Sequence, residues 1–331
     1  MRACLLRAFG SPEELRLEEI PDPIPGETEV LVEVRAAGVT YAELLVIQGK
    51  YQVLPKLPFV PGKELAGVVL AVGDGVKSLR PGDRVLGLAP LGAYADKASI
   101  EESRCFALPA GVPFADAAAM GIAYQAAYFA LFERGTYKQG ESVLVNGASG
   151  AVGLAAVQLA RASGARVLAG ITTPDKASLV RAAGADHVID LLAADLDVEL
   201  RKQVQAANAG RGVDIVIDML GGDVFSASLR ALAWRGRIVI VGFAAQRSMP
   251  SIPANYLLIK NITATGLFWN SMFEHVPGEV RTAQRRLFGW YEAGRIKPTI
   301  MEALPLHEVR RAFSCIARRE ARGRLVLTPV C

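Results

Sequence analysis

The stretch Val-Leu-Val-Asn-Gly-Ala-Ser-Gly-Ala-Val-Gly at residues 143–153 decides the fold of this chain. A short apolar run rich in β-branched residues ends there at a cluster of small residues. An alanine-rich helical pattern begins directly after the cluster and continues to residue 163. The order of strand, tight turn and helix predicts the first β/α unit of a parallel sheet.

The turn contains Ala148-x-Gly150-x-x-Gly153, a variant of the dinucleotide-binding fingerprint with alanine at the first glycine position. A pyrophosphate reaches the amides of a helix N-terminus only where no large side chain holds it away. Tight strand–helix turns also use glycine for steric reasons alone, so the downstream segments decide between these interpretations. The candidate cofactor-binding residues of this loop are Ala148, Ser149, Gly150, Ala151, Val152 and Gly153.

Strand and helix patterns alternate downstream of this loop, which favours the dinucleotide interpretation. Apolar runs predict strands at residues 142–146, 166–171, 187–190, 214–218, 237–241 and 261–265. Helical periodicity is found at residues 152–163, 175–183, 196–207 and 225–234. This alternation predicts the α/β class, with a Rossmann-type doubly wound parallel sheet.

The first part of the chain has a different pattern, with short alternating strands between glycine and proline turns. It ends in two helical patterns, residues 114–120 and 123–132, which are separated near Gly121. After residue 266 the chain turns polar and then continues into further helices and a last strand. We therefore predict a β-rich domain of residues 1–122 and 267–331, and a Rossmann domain of residues 123–266.

Composition excludes several classes of protein. The 331 residues are 51% hydrophobic and carry a net charge of only +4 without a basic tract, so nucleic acid is not an expected partner. No run of about 20 apolar residues predicts a membrane span. The four cysteines are scattered and form no C-x-x-C pair. Reduced thiols of a cytoplasmic protein are the expectation.

Three further motifs accompany the glycine loop, and together they carry a family resemblance. They are Ala37-Gly38-Val39-Thr40, Pro61-Gly62-Lys63-Glu64-Leu65-Ala66-Gly67 and Arg80-Pro81-Gly82-Asp83-Arg84-Val85. The chain resembles the medium-chain dehydrogenase/reductase superfamily over essentially its whole length. Residues 47–51 and 229–239 make it similar to the zinc-free NADPH:quinone oxidoreductases of the zeta-crystallin type, in the quinone oxidoreductase-like subgroup. The resemblance implies that the β-rich part is a GroES-like catalytic domain.

The zinc ligands of related alcohol dehydrogenases are replaced in this sequence. Those enzymes carry Cys-His after Gly-Val and later Gly-His-Glu, whereas these positions hold Thr40, Tyr41, Lys63 and Glu64 here. Catalytic zinc needs about three protein ligands, of which one carboxylate remains. We therefore expect no metal cofactor.

The end of the second predicted strand favours NADPH over NADH. NAD-specific sites place a carboxylate there, whereas this chain has Thr172, Thr173 and then Lys176. Hydroxyls and a cation suit a 2′-phosphate, although Lys176 is also compatible with an ordinary solvated helix lysine. By resemblance, Arg319 is a further candidate contact, and Leu191 stands where relatives often carry a tyrosine.

The candidate catalytic residues are Tyr51 and Thr40. Relatives use the loop that holds Tyr51 to line the nicotinamide pocket, and Thr40 stands where quinone reductases usually carry asparagine. A partly buried loop tyrosine is an equally open interpretation of Tyr51. Strand ends supply further candidate cofactor contacts. These are Gly242, Phe243, Phe268 and Trp269.

The resemblance implies an NADPH-dependent reductase of quinones or α,β-unsaturated carbonyls. The alternatives are an enoyl-thioester reductase and a low-turnover, crystallin-like NADPH-binding protein. The last predicted strand of the cofactor sheet lies at an edge and is not guarded by lysine or proline. A homodimer built on residues near 245–270 is therefore expected.

Overall fold

The computed structural model describes residues 1–245 and 249–329, which form two compact units. The β-rich unit consists of Met1–Ile122, Pro277–Glu292 and Pro298–Cys331, of which the last two residues lie outside the described ranges. The parallel-sheet unit consists of Ala123–Val276 and Ala293–Lys297. No helix in the described ranges is long and apolar enough to cross a membrane.

The bounds of the regular elements are as follows. The strands are β1 (Arg2–Leu5), β2 (Arg16–Glu19), β3 (Glu29–Val39), β4 (Leu65–Val72), β5 (Arg84–Gly87), β6 (Lys97–Glu101), β7 (Cys105–Ala107), β8 (Ser142–Asn146), β9 (Arg166–Ile171), β10 (His187–Asp190), β11 (Val213–Asp218), β12 (Leu232–Ile240), β13 (Thr263–Gly266), β14 (Ile300–Pro305) and β15 (Arg324–Thr328). The α-helices are α1 (Tyr41–Ile47), α2 (Phe114–Tyr128), α3 (Ala151–Ala162), α4 (Ala177–Ala182), α5 (Leu196–Ala207), α6 (Gly222–Ala231), α7 (Ala254–Lys260), α8 (Met272–His275), α9 (Pro277–Glu292) and α10 (Val309–Ala317).

The parallel-sheet unit contains a six-stranded sheet in the order β10-β9-β8-β11-β12-β13. All of its neighbouring strands run parallel. The central strand β8 pairs with β9 on one side and β11 on the other, and all five of its residues are buried. Strands that are covered on both faces have continuous apolar sequences, and for this reason their positions could be predicted. The predicted α/β class with a doubly wound parallel sheet is confirmed.

The β-rich unit is built on a seven-stranded sheet in the order β14-β15-β3-β4-β5-β7. The long strand β3 also pairs with β6, so it contacts three strands and crosses the hydrophobic core. Alternate side chains of β3 face that core, and Val30, Val32 and Val34 are completely buried. This sheet fixes the backbone that precedes α1 and the turn that precedes β4.

The second domain boundary differs from the one predicted. Residues 267–276 belong to the parallel-sheet unit rather than to the β-rich unit. The Leu267 amide donates to the Ile240 carbonyl over 2.9 Å, so the chain stays on the sheet edge after β13. Trp269 then packs edge-on against Phe273, with ring centroids 5.4 Å apart.

Gly121 does not break the helix in which it lies. The two predicted helices are one element, because α2 runs without interruption and continues as a π-helical turn over Phe129–Arg134. A Cβ at position 121 would lie 2.6 Å from Oε2 of the buried Glu64. Glycine is needed there for close packing rather than for a turn.

Candidate functional site

The glycine loop of the parallel-sheet unit is shaped by contacts that exclude larger side chains. The amides of Gly147 and Ala148 both donate to the Gly170 carbonyl over 3.0 Å, which fixes the turn after β8. A Cβ at position 153 would lie 2.3 Å from the Gly147 carbonyl oxygen. Gly153 therefore lets α3 begin close to the strand that precedes it, as the fingerprint predicts.

The N-terminus of α3 is the part of this loop that can bind an anion. Gly150 is exposed and caps the helix without a side-chain hydrogen bond to its first turn. Ala151 and Val152 follow it and are only half-buried. Ala148 is fully buried and its amide is already bonded, so it shapes the turn and offers no donor.

A buried polar network lies beneath this loop at the carboxyl ends of β8 and β11. Asn146 Nδ2 donates to Asp218 Oδ1 over 3.0 Å and to Ser228 Oγ over 2.8 Å. Asp218 Oδ2 accepts the Gly221 amide over 2.9 Å. Burial raises the pKa of Asp218, and these hydrogen bonds oppose the rise. The network holds the turn after β11 in place.

The turn after β11 contacts two of the predicted cofactor-binding segments. Leu220 packs on the glycine loop, because a Cβ at position 147 would lie 3.1 Å from Leu220 Cδ2. A Cβ at Gly221 would lie 2.9 Å from Phe243 Cδ1. Three segments are therefore adjacent at the carboxyl ends of the parallel strands. They are the loop after β8, the turn after β11 and the Gly242–Phe243 segment after β12.

The end of β9 carries the residues predicted to select NADPH. Thr172 and Thr173 are half-buried, and the Lys176 amide donates to the Thr173 carbonyl over 2.9 Å. Lys176 is only 6% exposed, so the interpretation of an ordinary solvated lysine is wrong. The Leu191 amide donates to the Ile171 carbonyl over 3.0 Å, and its side chain packs over β9.

The remaining predicted cofactor residues are separated from this cluster in the chain. Phe268 is 48% exposed, whereas Trp269 is buried. Arg319 lies in the β-rich unit directly after α10, where its positive φ of 60° ends the helix. Their roles toward a cofactor stay predictions.

In the β-rich unit, Thr40 begins helix α1 through a capping box. The Thr40 hydroxyl accepts the Glu43 amide over 3.2 Å, and the Thr40 amide donates to Glu43 Oε2 over 3.0 Å. The hydroxyl of Tyr94 also donates to Glu43 Oε2. Thr40 therefore helps to hold the Glu43 carboxyl group in position through hydrogen bonds. Its predicted catalytic role stays a prediction.

Glu43 is a buried carboxyl group that sequence reasoning missed. It is 1% exposed, and its Oε1 atom accepts no hydrogen bond from the described residues. Its pKa is raised to about 7, chiefly by burial and also by the charge of Glu64, while the Tyr94 hydrogen bond and the charge of Lys63 oppose the rise. The local pattern Thr-x-x-Glu was a visible capping signal, but it did not reveal the burial.

Tyr51 lies beneath a cation. Lys63 Nζ is 4.7 Å from the centroid of the Tyr51 ring, which is half-buried against the core of the unit. Burial lowers the pKa of Lys63, and the charge of Glu43 raises it. The sequence identifies Lys63 as the replacement of a zinc ligand and as a lysine near the loop of Tyr51, but it does not predict this contact.

Glu64, next to Lys63, belongs to a buried ion pair. Glu64 Oε1 accepts from Arg324, and Glu64 Oε2 accepts the Ile122 amide over 2.7 Å. A Cβ at Gly38 would lie 2.4 Å from Glu64 Oε1 and 2.6 Å from Arg324 Nη2. The glycine of the Ala-Gly-Val-Thr motif is therefore required by this ion pair.

The residues at the zinc-ligand positions do not fit a catalytic zinc ion. The Thr40 hydroxyl is bonded to Glu43, the Lys63 ammonium has no lone pair to donate, and Glu64 is bound to Arg324. In the described parts of the chain, no cluster of three or more His, Cys, Asp or Glu side chains could hold a metal ion.

Comparison with known proteins agrees with this architecture. A family model for an alcohol dehydrogenase GroES-like domain matches residues 26–138, and one for a zinc-binding dehydrogenase matches residues 151–286. Quinone oxidoreductase-like protein 2 of Bos taurus is 37% identical over 330 residues, covering 99% of this chain and 92% of the relative. Quinone oxidoreductase of Homo sapiens is 35% identical, covering 99% and 97%. The crystal structure of Escherichia coli quinone oxidoreductase complexed with NADPH has a TM-score of 0.89 and 31% identity, covering 99% and 100%.

A Rossmann sheet with a dinucleotide-type glycine loop and a GroES-like β-rich unit together define the oxidoreductases of the medium-chain dehydrogenase/reductase superfamily. Within that class, the chain belongs to the quinone oxidoreductase-like family. The family resemblance inferred from the sequence motifs is confirmed.

Proposed function

We propose that the protein is a zinc-independent, NADPH-dependent reductase of quinones or α,β-unsaturated carbonyl compounds. The observation that carries the proposal is that two positions of zinc ligands hold other residues here. Thr40 caps helix α1, and Lys63 places an ammonium over the Tyr51 ring. Without a Lewis acid, hydride transfer to a conjugated system is favoured, because the charge spreads onto an oxygen that hydrogen bonds can hold. NADPH supplies the hydride when bound.

The parallel-sheet unit supports NADPH as the cofactor. The uncapped N-terminus of α3 suits its pyrophosphate, and the β9 end carries no carboxylate that would repel a 2′-phosphate. Thr172, Thr173 and Lys176 would hold that phosphate by hydroxyl and ammonium groups. Gly242 and Phe243 lie with the glycine loop at the carboxyl ends of the parallel strands, where open α/β folds bind their ligands.

In the β-rich unit, Tyr51 is the proposed hydrogen-bond donor to the substrate. An enolate remains after an enone accepts hydride, and it needs a donor at oxygen or a proton at carbon. The phenol hydroxyl of Tyr51 can donate a hydrogen bond to that oxygen. A quinone needs no proton at carbon, so Tyr51 matters less for that substrate.

The test is steady-state NADPH oxidation with a quinone, a simple enone and a crotonyl thioester. We expect turnover of the quinone and the enone to exceed that of the thioester. Preference for the thioester would indicate an enoyl-thioester reductase, and no turnover with any substrate would indicate a cofactor-binding protein. Tyr51→Phe should lower kcat with the enone by about a hundredfold, whereas Tyr137→Phe in the parallel-sheet unit should not.

A homodimer is the proposed assembly. Strand β13 pairs with β12, and within the described chain no strand pairs with its other edge. Leu258 and Ile259 are 78% and 72% exposed on the neighbouring helix α7. Exposed apolar groups beside an open strand edge favour association. Residues 246–248 of the predicted dimer region lie outside the described residues.

We also propose a reducing, cytoplasmic location. Burial raises the pKa of both the Cys4 and the Cys105 thiols to about 12, so both remain protonated and unreactive. Such thiols pack as small apolar side chains, which agrees with the interpretation of the cysteines from the sequence.

A further inference from the structure

The backbone on both sides of Lys63 is held in a defined conformation. Gly62 has a φ of 104°, and a Cβ there would lie 2.7 Å from the Tyr94 amide nitrogen. Glu64 follows immediately and is fixed by its ion pair with Arg324. Lys63 is thus tethered on both sides, with its half-buried side chain over the Tyr51 ring.

The N–H donors of the Lys63 ammonium have no acceptor among the residues that the structure describes. In residues 1–245 and 249–329, no oxygen accepts a hydrogen bond from Lys63 Nζ and no carboxylate forms an ion pair with it. An ammonium carries three N–H donors, and partial burial deprives them of some water. An acceptor supplied by a ligand would satisfy them.

The buried carboxyl group of Glu43 interacts electrostatically with the same ammonium. Its Oε1 atom lacks a hydrogen-bond partner in the described structure. Because Oε2 is taken by Thr40 and Tyr94, the carboxyl group cannot turn away. In its ionised form, Glu43 therefore favours a positive charge at Lys63 without occupying its N–H donors.

The segment that contains Tyr51 favours a ligand with an apolar body. The segment after Tyr51 exposes Val53, Leu54 and Leu57, at 67%, 41% and 37%. Exposed apolar side chains that follow Tyr51 in the chain suit the apolar part of an aromatic compound or an enone.

We propose that Lys63 is a catalytic residue whose ammonium binds the substrate oxygen that becomes negatively charged during reduction. This inference rests on the proposed function for its chemistry. The β-carbon of an enone accepts the hydride, the C=C electron pair shifts toward the carbonyl carbon, and the carbonyl π pair moves onto oxygen. Lys63 donates a hydrogen bond to that oxygen, and one proton from water completes the saturated ketone. NADPH is oxidised to NADP⁺ as the enone is reduced.

The decisive experiment measures binding of 4-nitrophenolate, an aromatic oxyanion, to the protein without substrate. The visible absorbance of the phenolate reports its ionised form, and nitrobenzene is the neutral counterpart. Lys63→Met should weaken 4-nitrophenolate binding about tenfold to a hundredfold and leave nitrobenzene binding unchanged. Lys63→Arg should restore most of the affinity, and Lys56→Met, at an exposed lysine nearby, should match the wild type.

A kinetic arm completes the test. Lys63→Met should lower kcat with an enone by about a hundredfold while the NADPH dissociation constant, measured by fluorescence, stays unchanged. Unchanged nitrobenzene binding shows that the variant is folded, because Lys63 lies in the β-rich unit and NADPH affinity reports on the parallel-sheet unit. Equal 4-nitrophenolate affinity in wild type and Lys63→Met overturns the inference, even if kcat falls. If the wild type reduces no quinone or enone, the proposed function fails, and phenolate binding still decides whether Lys63 is an oxyanion site.

Discussion

Replacing Glu43 by glutamine tests how the buried carboxyl group affects stability. Burial raises the pKa of Glu43 from an ordinary 4.5 to about 7. The groups that face it are Tyr94, Glu64 and Lys63. The folded protein therefore binds this proton more tightly than the unfolded chain does. The resulting stability is fully present below the unfolded pKa and is lost as the pH rises through about 7.

The size of the effect follows from the same shift. At 1.36 kcal/mol for each pKa unit, the free energy of unfolding should fall by about 3 kcal/mol on account of Glu43. Glutamine at position 43 has no proton to lose, and its amide oxygen can still accept from Thr40 and Tyr94. The Glu43→Gln variant should therefore lack this part of the pH dependence.

Urea unfolding followed by circular dichroism between about pH 5 and about pH 8 measures the difference. The stability of Glu43→Gln relative to the wild type should rise across this range. Glu14→Gln, at an exposed carboxylate, is the control and should change the pH dependence little. If wild type and Glu43→Gln give parallel curves, Glu43 does not titrate in this window and the reasoning is wrong.

Four further outcomes are expected. Lys176→Ala should lower kcat/KM for NADPH by about tenfold to a hundredfold and leave NADH unaffected, because a charged hydrogen bond to the 2′-phosphate is lost. Gly153→Ala should cost about 1–3 kcal/mol of stability and weaken NADPH binding, since its Cβ meets a carbonyl oxygen at 2.3 Å. Glu64→Gln should cost about 3–5 kcal/mol in urea unfolding, because Arg324 keeps an uncompensated buried charge. Light scattering should show a dimer that Ile259→Lys converts to a monomer.

Matched variants separate these effects from general damage. Lys202 is an exposed helix lysine paired with Glu199, so Lys202→Ala should leave the kinetics for both cofactors unchanged. Gly289→Ala adds a Cβ with nothing within 4 Å and should be neutral or stabilising. Equal NADPH kinetics in Lys176→Ala and wild type, or unaltered stability in Gly153→Ala or Glu64→Gln, would contradict the respective prediction. A wild-type monomer at micromolar concentration would do the same for the assembly.

The parallel-sheet unit was largely predictable because its signals are local. Strands β8, β9 and β10 lie at the predicted residues, since buried apolar runs bounded by glycine are unambiguous when helices alternate with them. The glycine loop also followed from adjacent residues. Its detail did not, because the bonding of the Ala148 amide to Gly170 depends on how two strands pair.

The β-rich unit shows what the sequence alone could not provide. Lys63 and Glu43 are brought into range by the pairing of β3 with β4, which no local pattern encodes. Gly121 was interpreted as a helix break because its contact, Glu64, is distant in sequence. The burial of Lys176 could not be predicted either, because the exposure of a lysine at the start of a helix depends on tertiary packing.

The Glu64–Arg324 ion pair can form only after almost the whole chain has been synthesised. Its partners are 260 positions apart, and the whole of Ala123–Val276 is translated between them. Domains generally fold as units while the chain emerges from the ribosome. The parallel-sheet unit can thus form its sheet first, while Glu64 of the β-rich unit still lacks its counter-ion. The β-rich unit is complete only when strand β15 has been synthesised. A nascent chain that stops before Arg324 should therefore be more accessible to chaperones and proteases than the full chain.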